Sequence, residues 1–314
     1  MRTLPLLVVV LFAGCDRFDE SGVFVSPPCE DQAVEQLHPA NGAEDVWVGG
    51  LIWVDLVCPA PGATMSLNGP AGAVAGSTFI QHGGHQILFE PAAWLQADAN
   101  YVARLDTADA YREVAFATGS LGQPLQAALN ERALALHPAQ GALLDPAGFL
   151  ADLPPALQAG LHPVVQFLGD PSGATLPLRL GGRLDSRATA GQDLDDTTWD
   201  LSARWEDPIW TVGPLDMTWQ LFDFPLVLEG AVLQGVLATD AGSGGGGSLD
   251  ALWDTRPAED VLGTGAGSLC GRNGAAGGDG CVPCADGRVS CLPFALRSIP
   301  AEAWGGVLQV VDPD

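Results

Sequence analysis

Four cysteines near the end of the chain are the residues best placed by type and spacing to do chemistry. They are Cys270, Cys281, Cys284 and Cys291 in "CGRNGAAGGDGCVPCADGRVSC". Four thiolates could surround a zinc ion, the C-x-x-C pair Cys281 and Cys284 could be a redox couple, or the four could close two disulfides. The compartment decides, because an exported chain meets oxidising conditions, and disulfides are therefore expected. Asp286-Gly287 is a turn signal, and a hairpin there sets Cys284 opposite Cys291 and leaves Cys270 for Cys281. The two other pairings remain open.

The remaining candidates are thinner. Asp193, Asp195, Asp196 and Asp200 in "QDLDDTTWD" form an oxygen-rich cluster of the kind that binds calcium, without the mid-loop glycine and distal glutamate of an EF-hand, so a solvated loop is expected. His82 and His85 in "QHGGH" are at best half a zinc site and read as a hairpin tip. No G-x-S-x-G elbow singles out a serine nucleophile. Paired carboxylates for glycoside cleavage leave no spacing in a sequence. Trp199, Trp205, Trp210 and Trp219 could form an aromatic face for carbohydrate or peptide, with packing in a sandwich core as the plainer reading. No cofactor is implied.

What must position these residues begins with an export signal. The apolar run from Leu4 to Ala13 comes after Arg2 and is too short to span a bilayer, which takes ~20 residues; it has the form of a secretory signal. "LFAGC", with Ala13 and Gly14 before Cys15, resembles the lipobox of bacterial lipoproteins. The resemblance implies removal of residues 1–14, lipidation of Cys15 and anchoring to a membrane of the cell envelope, either the outer membrane or the periplasmic face of the inner one. The chain has seven cysteines. Setting Cys15 aside for lipid leaves an even set for disulfides.

Charge excludes several partners. The formal net charge is −25, and all 13 basic residues are arginine. Such a chain repels phosphate backbones, so nucleic acid is not a partner. Without lysine there is no Walker A loop, Schiff base or Ser-x-x-Lys nucleophile.

Residues 15–36 are acidic, carry Pro27-Pro28 and have no sustained period, as a tether does. From residue 37 to 119 strands alternate with turns. Ile52, Val54 and Leu56 share one face, and "ATMSLNG", "STFIQ", "QILFEP", "NYVARLD" and "REVAFATG" succeed one another at the spacing of a β-sandwich. "HPANGAEDVWV", "ILFEPAAWLQADANYVARL" and "VAFATG" resemble a bacterial Ig-like domain, whose core and corner positions fall on Phe89, Pro91, Leu95 and Tyr101. That resemblance carries fold rather than chemistry.

Residues 120–314 read as a second, β-rich domain of unknown function with a few short helices, its cysteine-rich segment at 270–291. "LQAALNERALAL" has near-helical spacing, and Pro146, Pro154, Pro155 and Pro163 break the stretch after it, so short helical turns or irregular cover are expected. Leu176, Leu178 and Leu180, then Leu215, Met217, Trp219 and Leu221, alternate as strands do. Strands are expected at Phe224 to Ala238 and Ser248 to Asp254, joined by a flexible Gly/Ser loop at 242–248. "LDALWDTRP" and "GCVPCADGRVSCL" resemble the C-terminal part of exported lipoproteins with one Ig-like domain, departing at Asp195, where cysteine is expected.

The fold class expected is thus all-β, an Ig-like sandwich followed by a β-rich domain. The function expected is a lipid-anchored envelope lipoprotein in a structural or binding role, not an enzyme, with a protein or glycan ligand. The alternative is a surface enzyme acting on glycans through paired carboxylates. Cys29 before the sandwich and Cys58 after its "LIWVDLV" strand are expected to bridge, which would stabilise the fold by roughly 3 to 4 kcal/mol through chain entropy. Replacing Cys15 by Ser should move the protein from the membrane fraction to the soluble fraction. Retention of the variant on membranes after a high-salt wash would contradict the lipid anchor.

Overall fold

The structure is a computed structural model that describes residues 34–108, 110–146, 162–183, 191–192, 197–221, 224–275 and 280–311. The expected lipidation at Cys15, Cys29 and the acids Asp193, Asp195 and Asp196 lie outside these residues, as does the expected tether up to residue 33, whereas residues 34–36 belong to the first strand. Among the described residues the fold is all-β apart from two short helices and two single turns of 3-10 helix. Among the described residues no helix is long and apolar enough to cross a membrane.

Nine strands come first: β1 (Val34–His38), β2 (Ala43–Val46), β3 (Ile52–Leu56), β4 (Thr64–Gly69), β5 (Gly72–Val74), β6 (Gly76–Gln81), β7 (Gln86–Pro91), β8 (Asn100–Asp106) and β9 (Tyr111–Thr118). They form two sheets, ordered β1-β3-β7-β6 and β2-β9-β8-β4-β5. Between them lies one core that includes Ile52, Val54, Leu56, Leu67, Phe89, Leu95, Tyr101 and Phe116. Period-two alternation explains this packing, since β8 buries Tyr101, Ala103 and Leu105 and turns Asn100 and Val102 outward.

Ten more strands follow among the described residues: β10 (Ala133–Leu136), β11 (Ala142–Asp145), β12 (Pro163–Phe167), β13 (Thr175–Gly182), β14 (Trp199–Glu206), β15 (Ile209–Leu221), β16 (Phe224–Leu237), β17 (Ser243–Asp254), β18 (Val282–Pro283) and β19 (Val289–Ala303). Strands β11 and β18 pair only with β19. The other eight close into an antiparallel barrel, because Leu134 of β10 pairs with Val165 of β12 on one side and with Ala303 of β19 on the other. Closure removes the sheet edges.

The barrel is filled rather than hollow. Leu134, Val165, Phe167, Leu176, Leu178, Leu180, Trp210, Val212, Met217, Trp219, Leu233, Trp253 and Phe294 share its core. An eight-stranded barrel is just wide enough for side chains to fill, and the free space beside Trp210 is about 10 Å3. Between the core positions of β13, Thr175 and Pro177 face solvent; β14 likewise exposes Asp200, Ser202, Arg204 and Glu206. That alternation is the reverse of a lipid-facing barrel.

One expectation is narrowed here and one fails. Of the two alternatives for residues 120–132, the chain takes irregular cover, as turns and extended chain rather than helical turns, and β10 comes directly after them. The near-helical spacing of Leu125 and Leu129 arises because both pack against the barrel core. Their backbone is held from outside: Asp207 Oδ1 accepts the Leu125 N–H at 2.9 Å, and Asp170 Oδ1 accepts the Leu129 N–H at 2.7 Å. The Gly/Ser stretch at 242–248 is no loop, because Ser243 to Ser248 begin β17 and pair with both β16 and β19. Its glycines make room. A Cβ on Gly246, which has φ +57°, would strike the Trp47 ring, one on Gly245 would meet Leu121, and one on Gly247 would crowd Ile299.

Trp47 belongs to the sandwich, so the glycine strip is where the barrel receives it. A second contact lies beside it in the fold: Trp53 of β3 and Leu88 of β7, on the outer face of their sheet, pack with Leu51 just before β3, Leu144 of β11 and Ala295 of β19. Strand β3 is therefore buried on both faces. His38 stacks on Trp53 with ring centroids 4.0 Å apart.

Burial lowers the His38 pKa to about 4. Between its unfolded value near 6.5 and this folded value, the unfolded chain binds a proton that the folded chain does not, so stability falls as pH falls through that window. The carboxyls of Asp106 and Asp200, held down by their arginines, act only below the ordinary carboxylate value of 3.8. Between pH 6.5 and 4 the protein should lose up to about 3 kcal/mol, read by urea denaturation at stepped pH. His38→Gln should flatten that slope, and an unchanged slope would contradict a buried neutral imidazole.

Candidate binding groove

On the outer surface of the sandwich, β8 turns the amide of Asn100 and the side chain of Val102 outward beside Asn68 of β4, which pairs with Val102. The segment between β7 and β8 closes the other side with Gln96 and Asp98, and Gly69-Pro70 forms the end. Together these residues line an open groove of about 570 Å3.

The wall at residues 95–100 is fixed from below. Leu95 is buried in the sandwich core. The Tyr101 hydroxyl accepts the Gln96 N–H at 2.7 Å. The Thr118 hydroxyl donates to the Gln96 carbonyl at 2.6 Å and accepts the Ala99 N–H at 3.1 Å. Asp98 sits at φ +51°, a left-handed conformation that Asp tolerates better than most residues. Gly69 lies so close to the Tyr101 ring that a Cβ would collide with it. A buried ring and hydroxyl thus hold a row of exposed amides and one carboxylate over an apolar floor.

The amides of Asn68, Gln96 and Asn100 each offer both donors and an acceptor, while the Asp98 carboxylate only accepts. This mixture suits a neutral ligand rich in hydroxyl groups. Another concavity of about 510 Å3, beside Glu131, Arg132, Gln166 and Trp304, is less available. Gln166 Oε1 accepts the Leu308 N–H at 2.8 Å, and Arg132 Nε donates to the Ala128 carbonyl at 3.0 Å.

The residues singled out by sequence fall elsewhere. Disulfides join Cys270 to Cys281 and Cys284 to Cys291, with Cα separations of 5.1 and 5.2 Å. Zinc held by four thiolates and a Cys281–Cys284 redox pair are both excluded by that pairing. Cys58 is also disulfide-bonded, and the expected partner Cys29 lies outside the described residues. Glu229 lies 3.7 Å from the Cys291 sulfur and accepts the Ala285 N–H at 2.7 Å. Glu229, Cys284 and Cys291 come close enough to suggest a metal site, but both sulfurs are spent in one disulfide.

Of the suspected calcium ligands, Asp200 takes the Arg179 guanidinium, with Nη2 to Oδ2 at 2.8 Å. His85 Nδ1 donates to the Leu56 carbonyl at 3.0 Å, which is a structural role. The tryptophan face does not form. Trp210 and Trp219 point into the barrel core, and Trp199 and Trp205 pack partly buried against it. The expected sandwich core for these rings is a barrel core instead.

One guanidinium brings the carboxylates of Asp254 and Asp286 together, since Arg256 donates to both at 2.7 and 2.6 Å. The Arg288 backbone N–H first, and Arg256 second, hold the Asp286 carboxyl below the usual range. A glycosidase acid needs the opposite shift.

No protein-family model and no curated protein matches this chain. Among solved structures it is similar to L,D-transpeptidase 3 from Mycobacterium tuberculosis in complex with a faropenem-derived adduct, at 16% identity and TM-score 0.22 over 28% of this chain and 39% of that one. It is similar to an L,D-transpeptidase from Mycobacterium smegmatis at 14% identity and TM-score 0.24, over 64% of this chain and 75% of that one. A cycloalternan-forming enzyme from Listeria monocytogenes in complex with a pentasaccharide matches at 9% identity and TM-score 0.17, over 69% of this chain and 21% of that one. The chain thus spans well under half the length of the first and third. These matches are enzymes, and the expectation that the chain is not an enzyme is corrected on that finding. At such TM-scores the likeness assigns no activity or substrate.

Asn68, Gln96, Asp98 and Asn100 were not legible as a site, although the alternation of "NYV" around the corner Tyr101 does mark Asn100 and Val102 as outward. Tyr101→Phe should cost about 1 kcal/mol and speed amide exchange at Gln96, measured by denaturation and hydrogen exchange. Unchanged exchange at Gln96 would contradict the hydroxyl's role in holding the wall.

Proposed function

We propose that this chain is an exported cell-envelope protein, anchored through lipid on Cys15, that acts on wall glycans held in the groove of Asn68, Gln96, Asp98 and Asn100. The observation that carries the reading is that groove: a row of amides and one carboxylate over Val102 and Pro70, rigidly backed and open at the surface. A saccharide presents hydroxyls at fixed spacing and apolar C–H faces between them, which such a lining meets with hydrogen bonds and contact area. Openness suits a polymer that runs past the site.

Export is supported by "LFAGC" and by disulfides in the C-terminal segment. The strongly negative charge directs the protein away from anionic polymers and toward neutral ones. Asp98 is the acid placed for general acid–base chemistry in the groove. Paired-carboxylate cleavage in the usual form asks for a second acid across the scissile bond, and Asp98 is the single acid among the lining residues of the groove.

The test uses the mature protein and isolated cell-wall glycan. Wild type should co-sediment with the polymer and release new reducing ends. Asn68→Ala with Asn100→Ala should weaken retention about tenfold, the equivalent of ~1.4 kcal/mol, and Asp98→Asn should reduce release without loss of retention. Failure of wild type to be retained, or equal retention by the double variant, would overturn the reading.

A further inference from the structure

Arg112 stands where the sandwich core takes apolar residues. On β9 the side chains of Val114 and Phe116 are buried, and the period of two extends that face back to Arg112. The neighbouring strand agrees, because Arg112 pairs with Leu105 of β8, which is buried in the core. Tyr111 and Glu113 belong to the outward face. There Arg104 lies over the Tyr111 ring at 4.2 Å and comes within 3.8 Å of the Glu113 carboxylate.

Arg112 lines a cavity of about 230 Å3 between the two sheets, together with Leu37, Ile52, Met65, Leu105 and Val114. The lining is apolar except for Asn41, Arg112 and Glu113. A cavity of ~150 Å3 takes up benzene, so a phenyl ring with a short aliphatic chain has room here.

The polar groups of this lining favour an anion. Arg112 is a permanent cation that only donates. Asn41 spends its amide oxygen on the Ala115 N–H at 3.0 Å, which leaves its NH2 group to donate. Glu113 already has Arg104. Among the described residues Arg104, Arg179, Arg256 and Arg297 each meet an aspartate, whereas no acid meets Arg112. In a chain with 38 acids that is an unusual position for a cation.

We infer that the sandwich binds a small monocarboxylate with a compact apolar body, its carboxylate in the fork of Arg112 and its body between the sheets. A guanidinium holds a carboxylate through two parallel N–H···O bonds, and the apolar body leaves water against Leu37, Ile52 and Met65. A sugar would set hydroxyls against those walls without partners. The cavity shares no lining residue with the groove of Asn68 and Asn100, so the inference does not rest on the glycan reading.

The test titrates the purified full chain, methyl-labelled for NMR, with phenylbutyrate and with phenylbutanol, which has the same body and no charge. Phenylbutyrate should shift the methyl signals of Leu37, Ile52, Met65, Leu105 and Val114 and bind about tenfold more tightly than the alcohol. Arg112→Gln should erase that preference and leave the affinity for the alcohol unchanged, which also shows that the variant is folded. Wild type whose cavity methyls do not respond to phenylbutyrate would overturn the inference. So would equal affinity for acid and alcohol, or an undiminished preference for the acid in Arg112→Gln.

Discussion

The contact on which the rest of the architecture depends is Trp47 seated on the glycine strip of β17. Barrel closure brings Ile299 of β19 against Gly247 and sets Trp210 beside Gly235 of β16, while Trp47 and Leu121 press on Gly246 and Gly245. Side chains on that strip would collide on one surface or the other, so a tightly filled barrel and a closely seated sandwich both require glycine there. Buried aromatic area is the dominant stabilising term in such contacts. The outer face of β3 adds Trp53 with Leu144 and Ala295, and the two contacts together make the sandwich part of the barrel's outer packing.

Electrostatics in this chain serve geometry more than stability. With the formal charge at −25, arginines are few and are placed as local ties. Arg104 grips Asp106, Arg179 grips Asp200, Arg256 joins Asp254 to Asp286, and Arg297 meets Asp250. Exposed pairs of this sort contribute little each. Their use is positional: Arg179 also donates to the Leu308 carbonyl at 2.9 Å and so helps to strap the C-terminal segment across the outside of the barrel. Other acids hold backbone, as Asp170, Asp207 and Asp216 do.

Local patterns in the sequence carried a good deal of this fold. The alternation of Leu176, Leu178 and Leu180 marks a strand with one buried face, and Ile52, Val54 and Leu56 do so in the sandwich, because side-chain direction has a period of two whatever the partner strand. The Asp286-Gly287 turn sets Cys284 against Cys291 for a similarly local reason. Long-range pairing was not legible. Closure of β10 on β19 joins residues far apart in sequence, and nothing within either strand announces it. The glycines of β17 were misread as a linker because their meaning lies in Trp47 and Ile299, which come from distant segments. Leu125 and Leu129 mimic a helix by packing on a barrel that the local sequence does not reveal. The groove was hidden for the same reason: Asn68 and Asn100 are ordinary surface amides until β4 pairs with β8 and Tyr101 fixes the facing wall.

The central claim is that sandwich and barrel form one packed body through Trp47 and Trp53. Scanning calorimetry of the purified protein tests it most directly. The account predicts a single cooperative transition in wild type that splits into two when Trp47 and Trp53 are both replaced by Ala, with the barrel transition retained. Two transitions already present in wild type, or a single unaltered transition in the double variant, would contradict it.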